Sequence, residues 1–343
     1  MTHVLSTVKQ LFTRLTPQER GLLLTELESL VGADGLEHGM LDILSGKSIK
    51  PKGCPHCQNP QIGGHGSFKD RPRYRCKGCG KTFTALTGTA LDGVHDKAKF
   101  LRYVSSFALR LSLRDAAQEH LITLKTSFDW RHRLMASLCK AARPKKLEGT
   151  IQADEKYIPY CCKGSGADVA KAGRKARKSG SDRSTRGISN EQVCVLSVHT
   201  DEAELLLAVK RGRIDNKGVD TALSPLTRRK TVNPDTLVTD GSTAYTSFAR
   251  KKGMEHHVVD SVTRKSPQGS HIQNVNNLHS RLEDWMRGFH GVASKYLQRY
   301  LDYFIILAKV KPFYRERVSK IIDFVLLNNN LDMTNILYFN IIR

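Results

Sequence analysis

Acidic residues are scarce in this sequence. Thirty-three Asp and Glu stand against 55 Lys and Arg, a formal charge of +22 with an isoelectric point near 9.8. Solubility requires far less, and the excess argues for a polyanionic partner, most simply DNA or RNA. Long apolar runs are missing as well. No stretch approaches the ~18–20 apolar residues that span a bilayer, and no basic-then-apolar secretion signal opens the chain. A membrane partner is therefore not expected, and the location expected is cytoplasmic and nucleoid-associated. Internal repeats, heptads and collagen-like periods are absent too, which leaves a globular architecture. Aromatics are only 7% of the residues, but an apolar content of 39% still allows a real core. A chain of 343 residues suits two or three domains.

Cysteine is the first informative presence. Eight cysteines without a secretion signal point to reduced thiols and metal rather than disulfides. "CPHC" at Cys54 and Cys57 and "CKGC" at Cys76 and Cys79 form a CxxC…CxxC pattern with eighteen residues between the pairs. Two tight turns of this kind make a closed tetrahedral shell of four thiolates, the structural preference of Zn2+. A redox CxxC would need only one pair. His56 and His65 are reserve ligands, and Cys139, Cys161, Cys162 and Cys194 read as ordinary thiols. Arg71, Arg73, Tyr74, Arg75, Lys77 and Lys81 make the ribbon basic enough to lie on phosphate, the alternative being a ribbon that only anchors the fold.

Helical signals flank the ribbon. Thr16, Pro17 and Glu19 read as the start of a helix over residues 10–31, with Leu23, Leu27 and Leu30 on one face. Residues 111–138, "LSLRDAAQEHLITLKTSFDWRHRLMASL", read as a helix-turn-helix. Ser112 caps the first helix, Ala116 and Ala117 permit close crossing, and a turn falls near Leu121–Thr123. The second helix is expected to expose Lys125, Thr126, Arg131 and Arg133 to DNA, with Phe128, Trp130 and Leu134 among its buried anchors. A plain helical hairpin is the competing reading.

Beyond "RPKK" at 143–146, strand-like and helix-like stretches alternate, which suits a mixed α/β sheet. Residues 163–188 carry eight Lys or Arg against two Asp, with Gly and Ser between, and read as a mobile basic loop. Arg174, Lys175, Arg177 and Lys178 are its DNA-binding candidates. "IQADEKY" and "LVTDGSTAY" each place an aspartate, Asp154 and Asp240, at the end of an apolar strand. Two such carboxylates converging on one point suit a hard divalent cation, Mg2+ or Mn2+. Glu155 points to the other face of a regular strand and is left outside this site.

The succession of ribbon, helix-turn-helix, "ADEKYI", "TDGSTAY" and "HIQNVNNLHSRLEDWMRGFHGVASKYLQRYLDYF" resembles the DDE-superfamily insertion-sequence transposases, in the ISXO2-like group (insertion-sequence family fifteen-ninety-five), over roughly residues 50–305. The last motif is the most diagnostic. The resemblance implies a ribonuclease-H-like catalytic domain, divalent metal, and cutting and joining of DNA at element ends. It carries the family's first two acidic residues onto Asp154 and Asp240, its third position, usually Glu, onto Asn276, and its lysine onto Lys295. Subgroups of the family carry Asn at the third position. An asparagine offers a carbonyl oxygen without charge, so the site would hold one negative charge less. Glu283, two turns on, is a possible substitute, though ~10 Å from Asn276 along the axis. His271 and His279 flank the same motif.

The organisation expected is a helical segment over 1–48, a zinc ribbon over 49–90, a helix-turn-helix region over 91–142, a ribonuclease-H-like transposase domain over 147–310, and a tail over 311–343 of unassigned role. The expected partners are terminal inverted repeats and target DNA, bound by a homodimer or higher multimer. The rival readings are a catalytically dead DNA-binding regulator and a nuclease of the same fold.

Overall fold

The computed structural model describes residues 51–69, 71–163, 187–228, 232–289 and 291–309, with isolated positions at 16, 170 and 321. The expected N-terminal helix, the interior of the basic loop with Arg174, Lys175, Arg177 and Lys178, and the C-terminal tail lie outside the described residues. The chain divides into two compact units, one containing the described residues up to Leu138 and the other running from Cys139 to Ala308.

The first unit opens with a small antiparallel sheet: β1 (Ile62–Phe68), β2 (Arg71–Cys76) and β3 (Thr82–Thr84), in that order. A register shift between Gly64 and Ser67 interrupts the β1–β2 ladder. Three helices follow: α1 (Lys97–Ala108), α2 (Leu113–Glu119) and α3 (Leu124–Ala142). Local chemistry sets their starts. The Asp96 side chain accepts from the Lys99 amide, and Ser112 accepts from the Asp115 amide, each satisfying a donor the helix cannot pair. Thr123 does the same for Thr126 at 3.0 Å. The turn before it carries Leu121 at φ +48°, a left-handed residue that reverses the chain within three positions. Ala116 and Ala117 are buried, as close helix crossing demands. Buried Tyr103 donates to the Ser127 carbonyl at 2.9 Å, while the Phe100 and Tyr103 rings meet Trp130 edge-on.

The second unit is a five-stranded mixed sheet with helices: β4 (Thr150–Pro159), β5 (Gln192–His199), β6 (Glu204–Arg211), α4 (Asn216–Leu223), β7 (Thr236–Thr239), α5 (Thr243–Lys252), β8 (Glu255–Val258), α6 (Gln273–Arg287) and α7 (Leu297–Lys309). The strand order is β6-β5-β4-β7-β8. β4 to β6 pair antiparallel, while β7 and β8 run parallel to β4. The alternation read from the sequence is thus a mixed α/β unit. β5 is buried along nearly its whole length, which explains its run of apolar residues on both faces. Ile151, Leu196, Val198, Leu205, Leu207 and Leu237 of the sheet pack with Val219, Tyr245 and Phe248 of α4 and α5 in one apolar cluster.

α6 is amphipathic: Val275, Leu278, His279, Leu282 and Trp285 are its buried face. Its position on the sheet is fixed by polar contacts. Asn274 N donates to Gln152 Oε1 at 3.2 Å, and Arg281 grips Glu204 with both terminal nitrogens at 2.7 and 2.9 Å. The Trp285 ring packs against Phe289, Tyr300, Tyr303 and Phe304, so the aromatic residues of the long motif join α6 to α7. Gln298 of α7 accepts from Ala208 N and donates to Leu206 O, pairing main-chain groups of β6 that have no neighbouring strand among the described residues.

Candidate functional site

Two sites emerge among the described residues, one in each unit. In the first, Cys54, Cys57, Cys76 and Cys79 bring their sulfurs within 4.8 Å of one another. The closest approaches are 3.6 Å for Cys54–Cys79 and 3.5 Å for Cys57–Cys76. Four thiolates at ~2.3 Å from one Zn2+ would stand at nearly this separation, so the donor set fits. Amides of Cys79 and Gly78 point at the Cys76 sulfur and bring its pKa down to about 6, favouring thiolate. His56 and His65, the reserve ligands, are exposed and outside this cluster.

In the second unit the sheet opens where β7 ends. Parallel pairing of β4 with β7 covers only Thr150–Gln152 against Thr236–Val238. Asp240 follows β7 directly, and Gly241 then turns the chain at φ +89°. A Cβ at Gly241 would lie 2.6 Å from Val258 Cγ1, so both conformation and space require glycine there. Thr239 Oγ1 accepts from the Gly241 amide at 3.1 Å and meets His256 Nε2 at 2.9 Å, which holds the turn. Asp240 Oδ1 accepts from Ser242 N.

Carboxylate oxygens of Asp154, Glu155 and Asp240 all lie within 4.8 Å of one another. Asp154 and Asp240 converge as expected, with two differences. Asp154 is not at a strand end: β4 continues to Pro159, and Asp154 pairs with Ser197 of β5. What ends beside it is β7. Glu155, left outside on the rule of strand alternation, belongs to the cluster. The alternation itself holds, since Gln152, Asp154 and Lys156 contact α6 while Glu155 lies beside Tyr245 of α5. Where β7 has ended, both carboxylates reach the neighbourhood of Asp240. Burial, with Asp240 nearby, raises Asp154 to about 6, and burial with Asp154 and Asp240 raises Glu155 to about 7.

α6 lies over this cluster. His279 Nδ1 is 3.9 Å from Asp154 Oδ2, its Nε2 is buried without a hydrogen bond, and burial lowers its pKa to about 4, so the ring is neutral. Asn276, one turn earlier, is exposed on the same helix. Glu283 spends its carboxylate on Lys156, so it does not replace Asn276. Lys295 sits in a 3-10 turn over the Tyr296 ring, and its neighbour Ser294 is bonded to Cys161, two residues past the end of β4.

The expected DNA-reading helix divides. Lys125 is exposed, paired with Asp129 at 2.6 Å, and Thr126 is half-buried at the helix start. Arg131 is buried and donates to the Leu111 carbonyl, while Arg133 is half-buried with its guanidinium on the carbonyls of Ala90 and Asp92. The expectation that both arginines face DNA is corrected: these cations tie α3 to the chain before α2. Leu134 is fully buried, but Phe128 and Trp130 are only partly covered.

A carboxylate trio where two strands part has the donor chemistry for a divalent cation, the kind of ion that phosphodiester-cleaving enzymes use. Residues 146–305 match the family described as ISXO2-like transposase domain. These residues thus carry an ISXO2-like transposase domain, and that domain supports reading the chain as a DNA transposase. It is 25% identical over 266 residues to the "Uncharacterized protein in transposable element ISH50" of Halobacterium salinarum, covering 75% of this chain and 85% of that protein. Among solved structures it is similar to a pre-cleavage Mos1 transpososome (13% identity, TM-score 0.22) and a Mos1 strand transfer complex (12%, TM-score 0.25). Each covers 67% of this chain and 78% of the other, and at this distance the likeness carries no weight for the site.

Proposed function

We propose that the chain cleaves the 3′ ends of an insertion sequence at its terminal inverted repeats and joins them to target DNA. The convergence of Asp154 and Asp240 on the gap between β4 and β7 carries this reading. The strand order, with three antiparallel strands followed by two parallel ones, supports a ribonuclease-H-like catalytic domain. Asp154 and Asp240 would hold Mg2+ or Mn2+, with the Asn276 carbonyl oxygen reaching from α6. Such an ion, when bound, activates a water or 3′ hydroxyl and stabilises the leaving oxygen.

The chain's own residues supply position and exclusion. Gly241 and Thr239 fix the Asp240 carboxylate, Gln152 and Glu204 fix α6, and neutral His279 covers Asp154 from the helix side. Lys295, held beside Cys161 past the end of β4, suits a flanking phosphate rather than the scissile one. Lys125 and Thr126 at the start of α3 are the candidates for base edges, and the ribbon's Zn2+ would be structural. Two ends must be joined in one event, so a dimer or higher multimer on DNA is the expected working form.

The test is cleavage and joining of end-bearing oligonucleotides with Mg2+ or Mn2+. Asp154→Ala and Asp240→Ala should each lower product by at least about 100-fold with DNA binding retained. Wild type without product under either metal would leave a DNA-binding regulator. Cleavage indifferent to end sequence, without joining, would leave a nuclease.

A further inference from the structure

We infer that Glu155 is the third carboxylate of the cation site and supplies the charge that Asn276 lacks. This rests on reading the Asp154–Asp240 cluster as a cation site. Geometry comes first. Beyond Gln152 the β7 side of β4 has no paired strand among the described residues, so the backbone at residues 153–155 has no ladder partner on that side. Side chains from opposite faces of a strand normally diverge. Here an Asp154 and a Glu155 oxygen come within 4.8 Å of each other and of Asp240. Only a strand without a neighbour on that side leaves room for this.

A second observation comes from α5. The Tyr245 hydroxyl is fully buried beside Glu155 and has no hydrogen-bond partner of good geometry, and Glu155 Oε1 is buried and unpartnered too. Unpaired polar atoms in such surroundings have lost their water without a replacement partner. They are explained if the carboxylate turns toward a cation and the phenol completes its remaining lone pair. The group that the sequence motif places third, Asn276, is exposed and neutral, whereas Glu155 is partly buried and acidic. Three carboxylates gathered beside β4 where β7 ends restore the charge that a doubly charged ion needs, and α6 is then free to position DNA or water through Asn276.

The experiment is Mn2+ binding to the full chain, read by electron paramagnetic resonance and calorimetry in the absence of DNA. Glu155→Gln should weaken Mn2+ by about tenfold or more, comparable with Asp154→Asn, and Asn276→Ala should weaken it less. Circular dichroism should show the fold intact in Glu155→Gln, since the change keeps the side chain's size and removes only a partly buried charge. Wild-type Mn2+ affinity in Glu155→Gln overturns the inference while leaving the cation site standing. Wild-type affinity in Asp154→Asn instead sinks the cation-site reading beneath it. Should Glu155→Gln not fold, Glu155→Asp keeps the charge and withdraws it by one methylene; weakened Mn2+ binding supports the role, and unchanged binding overturns it.

Discussion

At the scale of single residues, the catalytic domain is held by a few positions with no tolerance. Gly241 is one. A methyl group there meets Val258 in a left-handed turn that L residues rarely adopt, so Gly241→Ala must move either the turn or β8. The expected result is a loss of about 1–2 kcal/mol in urea unfolding, with transposase activity lost more completely than stability, because Asp240 precedes the turn. Asp302 of α7 is another. Arg143, Cys139 and the Gln298 amide all favour its ionised form, yet full burial outweighs them and lifts its pKa to about 6. A carboxyl whose folded pKa lies above its ordinary 3.8 binds its proton more tightly in the native state. Its stabilising contribution is therefore whole at acid pH and is lost as pH rises from about 4 through 6, a term of roughly 3 kcal/mol. Asp302→Asn should flatten stability over that window and raise the melting temperature at pH 7.5. A melting temperature lowered equally at pH 5 and 7.5 would contradict it.

At the scale of elements, α3 separates two kinds of cation that look alike in sequence. Arg131 serves packing, its guanidinium buried on the Leu111 carbonyl, whereas Lys125 stands in solvent beside Asp129. Exposed pairs of this sort contribute little to stability. Lys125→Ala should leave the melting temperature unchanged, weaken binding to element ends and reduce the salt slope of binding by about one. Arg131→Ala should instead destabilise the chain by about 2 kcal/mol or more in urea titration, through the loss of a buried charged hydrogen bond. The contrast marks what could be read in advance. Ser112 and the Leu121–Thr123 turn were legible because caps and turns are local chemistry, and the strands of the sheet were legible from their apolar runs. The face of α3 that meets Leu111 was not, since a helix wheel does not say which neighbour covers it. Asp154 and Asp240 were legible as motif residues, but Glu155 was misplaced. Alternation along β4 is local, whereas the gap that gathers its carboxylate is made by where β7 stops.

At the scale of the whole molecule, the two candidate metal sites fall in different compact units, the cysteine cluster before Leu138 and the carboxylate cluster after Cys139. Their chemistry separates them as well. Soft thiolates select Zn2+, and hard carboxylate oxygens select Mg2+ or Mn2+. A cluster of four cysteines closing a sheet of three short strands has little apolar core of its own, with Cys54, Cys76 and Phe83 its buried members. Stability there must come largely from the ion, because metal binding and folding are coupled in so small a unit. The acidic site draws on the large apolar cluster of the five-stranded sheet instead. Cys54→Ser with Cys76→Ser should therefore abolish the single bound Zn2+ measured by metal analysis and weaken binding to element ends. Mn2+ affinity at the carboxylates should stay within about twofold of wild type, the size of effect expected for distant, independent sites. Joint loss of Zn2+ and Mn2+ binding would show that the ribbon's ion supports the catalytic sheet as well, and that the two units fold as one.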